Sequence, residues 1–199
     1  MFEVLAVPGH RSFATSFALG LAMLRSQGVI IYIRSDLAAM EAGELYGSGL
    51  MRLGLDPARL IIARLRTQLD ILRAGHEATR CSAVGVVIIE IETPIDLTAS
   101  RRLKLAAEAS GVAVILLRAT CGSVVLPNAA QMRWRVGAAS SYPCLDHRWQ
   151  PTFDVTLLKH PDGLLERRQL IEWDHERLQF ITAVSQPLAA VPDGRSMAA

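Results

Sequence analysis

Between Gly9 and Ser16 the chain carries the spacing of a phosphate-binding loop with part of the chemistry missing. Such a loop needs Gly, four residues, then Gly-Lys-Ser/Thr. The glycines turn backbone N–H groups toward phosphate, the lysine neutralises its charge and the hydroxyl holds magnesium. Here the register runs Gly9, four residues, then Ala14-Thr15-Ser16. Gly9 and the Ser16 hydroxyl match. Thr15 stands where the lysine belongs and cannot supply its charge, and Ala14 replaces a glycine that often needs positive φ. Arg11, inside the loop, offers a substitute cation, and Gly9 and Ala14 could still turn amides toward an anion at a helix N-terminus. The expectation is a structural or vestigial nucleotide site of Gly9, Ala14, Thr15, Ser16 and Glu90, with no ATP or magnesium cofactor.

Glu90 matches a Walker-B carboxylate, ending an apolar run with Glu92 two residues on. The plainer reading is a pair of acids at a solvent-facing strand end. A basic set, Arg101, Arg102, Lys104, Arg118, Arg133 and Arg135, raises a nucleic-acid reading, because phosphate contacts need only clustered cations. Arg101, Arg102, Arg118, Arg133 and Arg135 are the candidate DNA-binding residues. Arg101, Arg102 and Lys104 equally fit the solvated face of a helix whose Leu103, Ala106 and Ala107 turn inward. Trp134 could stack a base, but alternation with Arg133 and Arg135 puts it on the opposite face, as core. Trp149 and Trp173 also read as core. His10, His76, His147, His160 and His175 show no metal-binding spacing and no nucleophile partner.

The elements that must position these residues follow from periodicity. Phe2–Val7 is a short apolar strand leading into the loop and a helix from Phe13 to Ser26, with Phe13, Phe17, Leu21 and Leu24 at helical spacing and Gly28 as its stop. Val29–Ile33 and Val84–Ile91 are continuous apolar strands, the mark of burial on both faces. A helical stretch through Leu50 to Leu53, Asp56-Pro57 as a cap and first turn or as a tight turn into Leu60–Leu65, and a helix Thr67–Thr79 lie between them. Leu97–Ser110 is a helix closed by Gly111, and Val112–Leu117 is another buried strand. Alternating strands and helices make a parallel, doubly wound sheet. Ala119–Ala130 reads as a loop. Met132–Val136, Phe153–Lys159 and Leu164–Glu172 alternate apolar with polar, with Pro161-Asp162-Gly163 as a hairpin turn, so the sheet finishes antiparallel.

The 199 residues suit one domain with a substantial core. With 51% hydrophobic and 20% charged residues, the composition excludes disorder. A net charge of +2 names no partner, but basic residues outnumber acidic ones from Arg101 to Arg168. Cys81, Cys121 and Cys144 lack metal spacing and read as reduced thiols. No apolar run is long enough to span a membrane and no signal pattern opens the chain, so a cytoplasmic protein is expected.

The order of parts over roughly residues 2 to 180 resembles the RecA-like ATPase core. More narrowly, the segments from Leu97 to Val112, Met132 to Val136 (Met-Arg-Trp-Arg-Val) and Ile171 to His175 (Ile-Glu-Trp-Asp-His) resemble the ImuA family. The resemblance implies a RecA-like P-loop NTPase fold: a mostly parallel sheet flanked by helices, antiparallel at its C-terminal end. Residues 1–185 would form the core and 186–199 a flexible tail. On the RecA pattern Asp36 matches the water-activating acid, and Arg118 replaces a glutamine that senses nucleotide. The family implies an accessory protein of bacterial DNA-damage-induced mutagenesis and translesion synthesis, with ImuB as partner and RecA or an error-prone C-family polymerase as further candidates. With lysine and glutamine both replaced, a non-enzymatic adaptor is expected. The rivals are a slow ATPase, a DNA-binding RecA modulator and a SulA-type division inhibitor. RecA and the family carry sequence before the first strand that in RecA pairs subunits. Here that strand begins at Phe2: either the segment is lost or Met1 is a misassigned start, and either way RecA-style filaments are not expected.

Overall fold

Val84–Ile91 shows why the sheet is buried on both sides. Val86 and Ile88 join one apolar cluster, whereas Val87, Ile89 and Ile91 join another on the opposite face. Period-two alternation makes both faces apolar, so helices must cover both. A computed structural model describes residues 1–118, 127–140, 151–163 and 166–183. The elements are β1 (Phe2–Ala6), α1 (Arg11–Arg25), β2 (Val29–Ser35), α2 (Asp36–Ala42), α3 (Gly47–Leu53), a 3-10 turn (Pro57–Arg59), β3 (Leu60–Leu65), α4 (Gln68–Thr79), β4 (Val84–Ile91), α5 (Leu97–Ser110), β5 (Ala113–Arg118), β6 (Met132–Ala138), β7 (Thr152–Lys159), β8 (Arg167–Asp174) and β9 (Gln179–Thr182).

The strands form one nine-stranded sheet in the order β3-β2-β4-β5-β1-β6-β7-β8-β9. Pairings from β3 through to β6 are parallel, and those from β6 to β9 are antiparallel. This is a mixed α/β fold with a large, mostly parallel sheet flanked by helices. Residues of α1 and α3 pack in one core cluster, and those of α4 and α5 in the other. The hairpin turn at Pro161-Asp162-Gly163 holds, with Gly163 at a φ of 76°.

Several local expectations shift. The helical stretch before Leu53 is two helices, broken where Gly43 adopts a φ of 76° that a side chain would oppose. The first helix starts at Arg11, two residues before Phe13. Its buried stripe runs through Ala14, Ala18 and Ala22 with Phe17, while Leu24 is 46% exposed. Small residues let the helix sit close to the sheet. Gly28 is not a left-handed stop, because α1 ends at Arg25 and Ser26 is extended. Strand β9 had no clear sequence signal, yet its Phe180 stacks on Phe17 and meets Trp173 edge-on. Trp173 is fully buried and its indole N–H donates to the Leu53 carbonyl at 2.7 Å. The tail from 186, Cys121, Cys144, His147, Trp149, Leu164 and most of the Ala119–Ala130 loop lie outside the described residues.

Candidate functional site

The first strand delivers its C-terminal end to the loop, and there the loop departs from a phosphate cradle. Gly9 has the positive φ, 80°, of a turn glycine. The chain then winds directly into α1. The amide of His10 donates to the Val7 carbonyl at 2.8 Å, and those of Phe13 and Ala14 both donate to the His10 carbonyl at 3.1 and 3.2 Å. The Ala14 N–H, expected to be available to an anion, is therefore spent inside the helix. Backbone amides bonded to a carbonyl cannot also cradle a phosphate. The His10 ring closes the turn from the other side, its Nδ1 accepting from the Ala138 amide of β6 at 2.9 Å.

Beneath this turn lies a buried ionic centre. Glu90, on β4, has a side chain 1% exposed. Its Oε1 accepts from Arg11 Nε at 2.8 Å and lies 2.6 Å from another Arg11 guanidinium nitrogen. Its Oε2 accepts from the Tyr32 hydroxyl at 2.9 Å and sits 3.1 Å from Arg34 Nε, which approaches off the hydrogen-bond axis. Arg34 spends its other nitrogens on the carbonyls of Gly43 and Ala38, at 2.9 and 2.7 Å, tying β2 to α2. Arg11 also reaches Glu92 at 3.1 Å. Burial opposes the charge on Arg11, but Glu90 and Glu92 outweigh it and raise its pKa. Burial, then the charge of Glu90, pushes the Tyr32 phenol well above its ordinary value, so it stays protonated and donates. Thr15, at the lysine position, is 8% exposed.

Two arginines, one carboxylate and a phenol thus pair in one centre, with Arg34 Nε in ionic contact but without a hydrogen bond. Buried charge is tolerable only when paired and hydrogen-bonded in this way. A cleft of about 1020 Å³ opens beside the centre, lined in part by Gly9, Arg11, Thr15, Ser16 and Tyr32. The residues present do not fit magnesium-bound ATP: the lysine is absent, the His10, Phe13 and Ala14 amides are bonded to carbonyls and Glu90 already carries two guanidinium partners. Asp36 opens α2, one residue after the Ser35 cap, and is not part of this cleft. Tyr32 and Arg34 are site residues that the sequence reading did not single out. The signal for Arg34 was its place two residues after Tyr32, on the same sheet face.

The five candidate DNA-contacting arginines do not share one surface. Arg101 and Arg102 are exposed on α5, and Arg135 is exposed on β6. Arg118 is only 3% exposed at the end of β5. Arg133 is also buried, in an ion pair with Glu3 of β1, so both depart from the cationic surface expected of them. The register explains the pair: Glu3 stands beside Arg133 in adjacent parallel strands. Trp134 turns to the opposite face, half-buried against Phe2 and Phe17. Among the described residues no group of His, Cys, Asp or Glu could hold a metal ion. No helix among them is long and apolar enough to cross a membrane.

Fold and site define a mixed α/β protein whose loop-and-carboxylate centre is closed by its own ion pairs. Sequence comparison carries this to a family. Over 172 residues the chain is 33% identical to "Protein ImuA" from two strains of Caulobacter vibrioides, spanning 79% of this chain and 67% of that protein. The chain belongs to the ImuA family, as the three quoted segments led one to expect. No family model matches it. Among solved structures, SulA from Pseudomonas aeruginosa is similar with a TM-score of 0.47 and 19% identity, over 59% of this chain and 96% of that one. That likeness is too distant to carry function.

Proposed function

We propose that this chain is a non-catalytic, RecA-like adaptor in bacterial DNA-damage-induced mutagenesis. It acts in translesion synthesis through protein–protein contacts with ImuB, with RecA or an error-prone C-family polymerase as further partners. Family membership supports the pathway. The observation that carries the non-catalytic reading is the state of Glu90. The carboxylate at the Walker-B position is neutralised by Arg11 and Arg34 and capped by Tyr32. Phosphoryl transfer works by positioning metal and charge around the phosphates, and a carboxylate so engaged has no free oxygen to offer. A RecA-like ancestry for the sheet is consistent with its strand order and with the loop following β1.

Two measurements test the reading. Calorimetric titration with magnesium-ATP is expected to give no binding at millimolar nucleotide, and a micromolar Kd would overturn it. Purified ImuB is expected to co-elute with the full chain, and separate elution at high concentration would remove the adaptor role. One observation favours a second reading: Arg11 lines the open cleft. If it left Glu90 for a phosphate, a slow ATPase would result, and phosphate release in the presence of ImuB would reveal it.

A further inference from the structure

We infer that the groove between α4 and α5 is a docking site for an acidic amphipathic helix of a partner protein. The inference rests on the adaptor reading and adds the surface and the chemistry of its partner. The groove is a shallow, open depression of about 470 Å³. One wall is His76 of α4 and Arg80, which caps that helix, and the other is Arg102, Leu105, Ala106 and Ala109 of α5. The α5 residues stand at i, i+3, i+4 and i+7, so they form one helical stripe. The core uses a different stripe, through Ser100, Leu103 and Ala107. Leu105, which the fold does not need, is 64% exposed at the middle of the outer stripe.

Charge selects the occupant. Two arginines and a histidine border the groove and no carboxylate lines it. The neighbouring acid Glu77 lies 3.4 Å from both His76 and Arg80, in exposed contacts of little worth. Arg102 makes no ion pair among the described residues. An apolar floor with a cationic rim matches an apolar-anchored helix whose flanking residues are Asp or Glu, the helix-in-groove mode of recognition. A DNA strand fits less well. Phosphates need convergent cations, and a polyanion over Leu105 would leave its apolar surface uncovered.

The test measures calorimetric affinity of the full chain for purified ImuB, with Leu105→Asp, Arg102→Glu and, as a control on a distant exposed apolar residue, Met40→Asp. All three sites are exposed, so melting temperatures should hold. Leu105→Asp and Arg102→Glu are each expected to weaken binding at least about tenfold, Met40→Asp to leave it unchanged, and wild-type affinity to fall with salt. Undiminished ImuB binding by both groove variants overturns the inference while leaving the adaptor reading intact. So does loss of single-stranded DNA binding in the groove variants with ImuB binding retained. If the wild-type chain fails to bind ImuB, the adaptor reading itself falls and this inference with it.

Discussion

Substituting Glu90 by Gln separates a structural carboxylate from one kept for a ligand. The change preserves shape and removes one buried charge. Arg34, 3% exposed, would then face only the Gly43 and Ala38 carbonyls, and Arg11 would retain Glu92. Breaking a buried pair by removing one partner costs about 3–5 kcal/mol, because the other charge stays buried. Arg11 is 18% exposed and keeps a second acid, so the lower figure of about 3 kcal/mol applies. With a urea slope of about 2 kcal/mol/M, the unfolding midpoint should fall by roughly 1.5 M. In an Arg34→Met background the same substitution should cost at least about 1 kcal/mol less, since part of the lost interaction is already gone. Urea unfolding followed by tryptophan fluorescence reads all four corners of this cycle. A strained carboxylate reserved for metal would behave oppositely, and Glu90→Gln would then stabilise the chain. An unchanged or raised midpoint would refute the reasoning and reopen the nucleotide site.

Three further outcomes follow from the same structure. Trp173→Phe removes the N–H that satisfies the Leu53 carbonyl, and should lower stability by about 2 kcal/mol in thermal or urea unfolding. Gly54→Ala places a side chain at a φ of 92° and within 2.4 Å of Leu178 and 3.1 Å of the His175 carbonyl oxygen. It should cost about 1–3 kcal/mol, and an unchanged melting temperature would show that the β8–β9 turn does not press on α3. The backbone N–H of Arg177, with that of Glu176, holds the Asp174 carboxyl below its usual range. A depressed carboxyl contributes stability above its unfolded pKa near about 3.9 and loses it as pH falls through the lower folded value. Wild type should therefore exceed Asp174→Ala in unfolding midpoint at about pH 6, and the gap should narrow as pH falls below about 3.9.

Much of the fold was legible because it rests on local periodicity. The run Val84–Ile91 could only be a strand buried on both faces, and Leu97–Ser110 closed by Gly111 could only be a helix with a left-handed stop. The absence of a lysine from the Gly9–Ser16 loop was equally visible, since Thr15 is a matter of residue type. Less legible were features set by neighbours distant in sequence. Arg133 read as one of a surface set until β1 placed Glu3 beside it, 130 positions away. Strand β9 is short and half-exposed, so its pattern is weak, and it exists because β8 offers it an edge and α1 offers it Phe17.

The sequence by itself determined most of the order of elements, the two-sided burial of the parallel strands and the absence of a lysine from the loop, because each is written in residue type and spacing. It could not determine what the remaining charges do. Arg11, Arg34, Tyr32 and Glu90 come from three elements, and only the parallel register of β2 beside β4, with α1 laid across them, brings them within hydrogen-bond reach. Electrostatic pairing decays over a few ångströms while sequence separation here spans 79 residues. The tertiary structure therefore decided that the loop left without its lysine is closed by an ion-paired centre of the chain's own making.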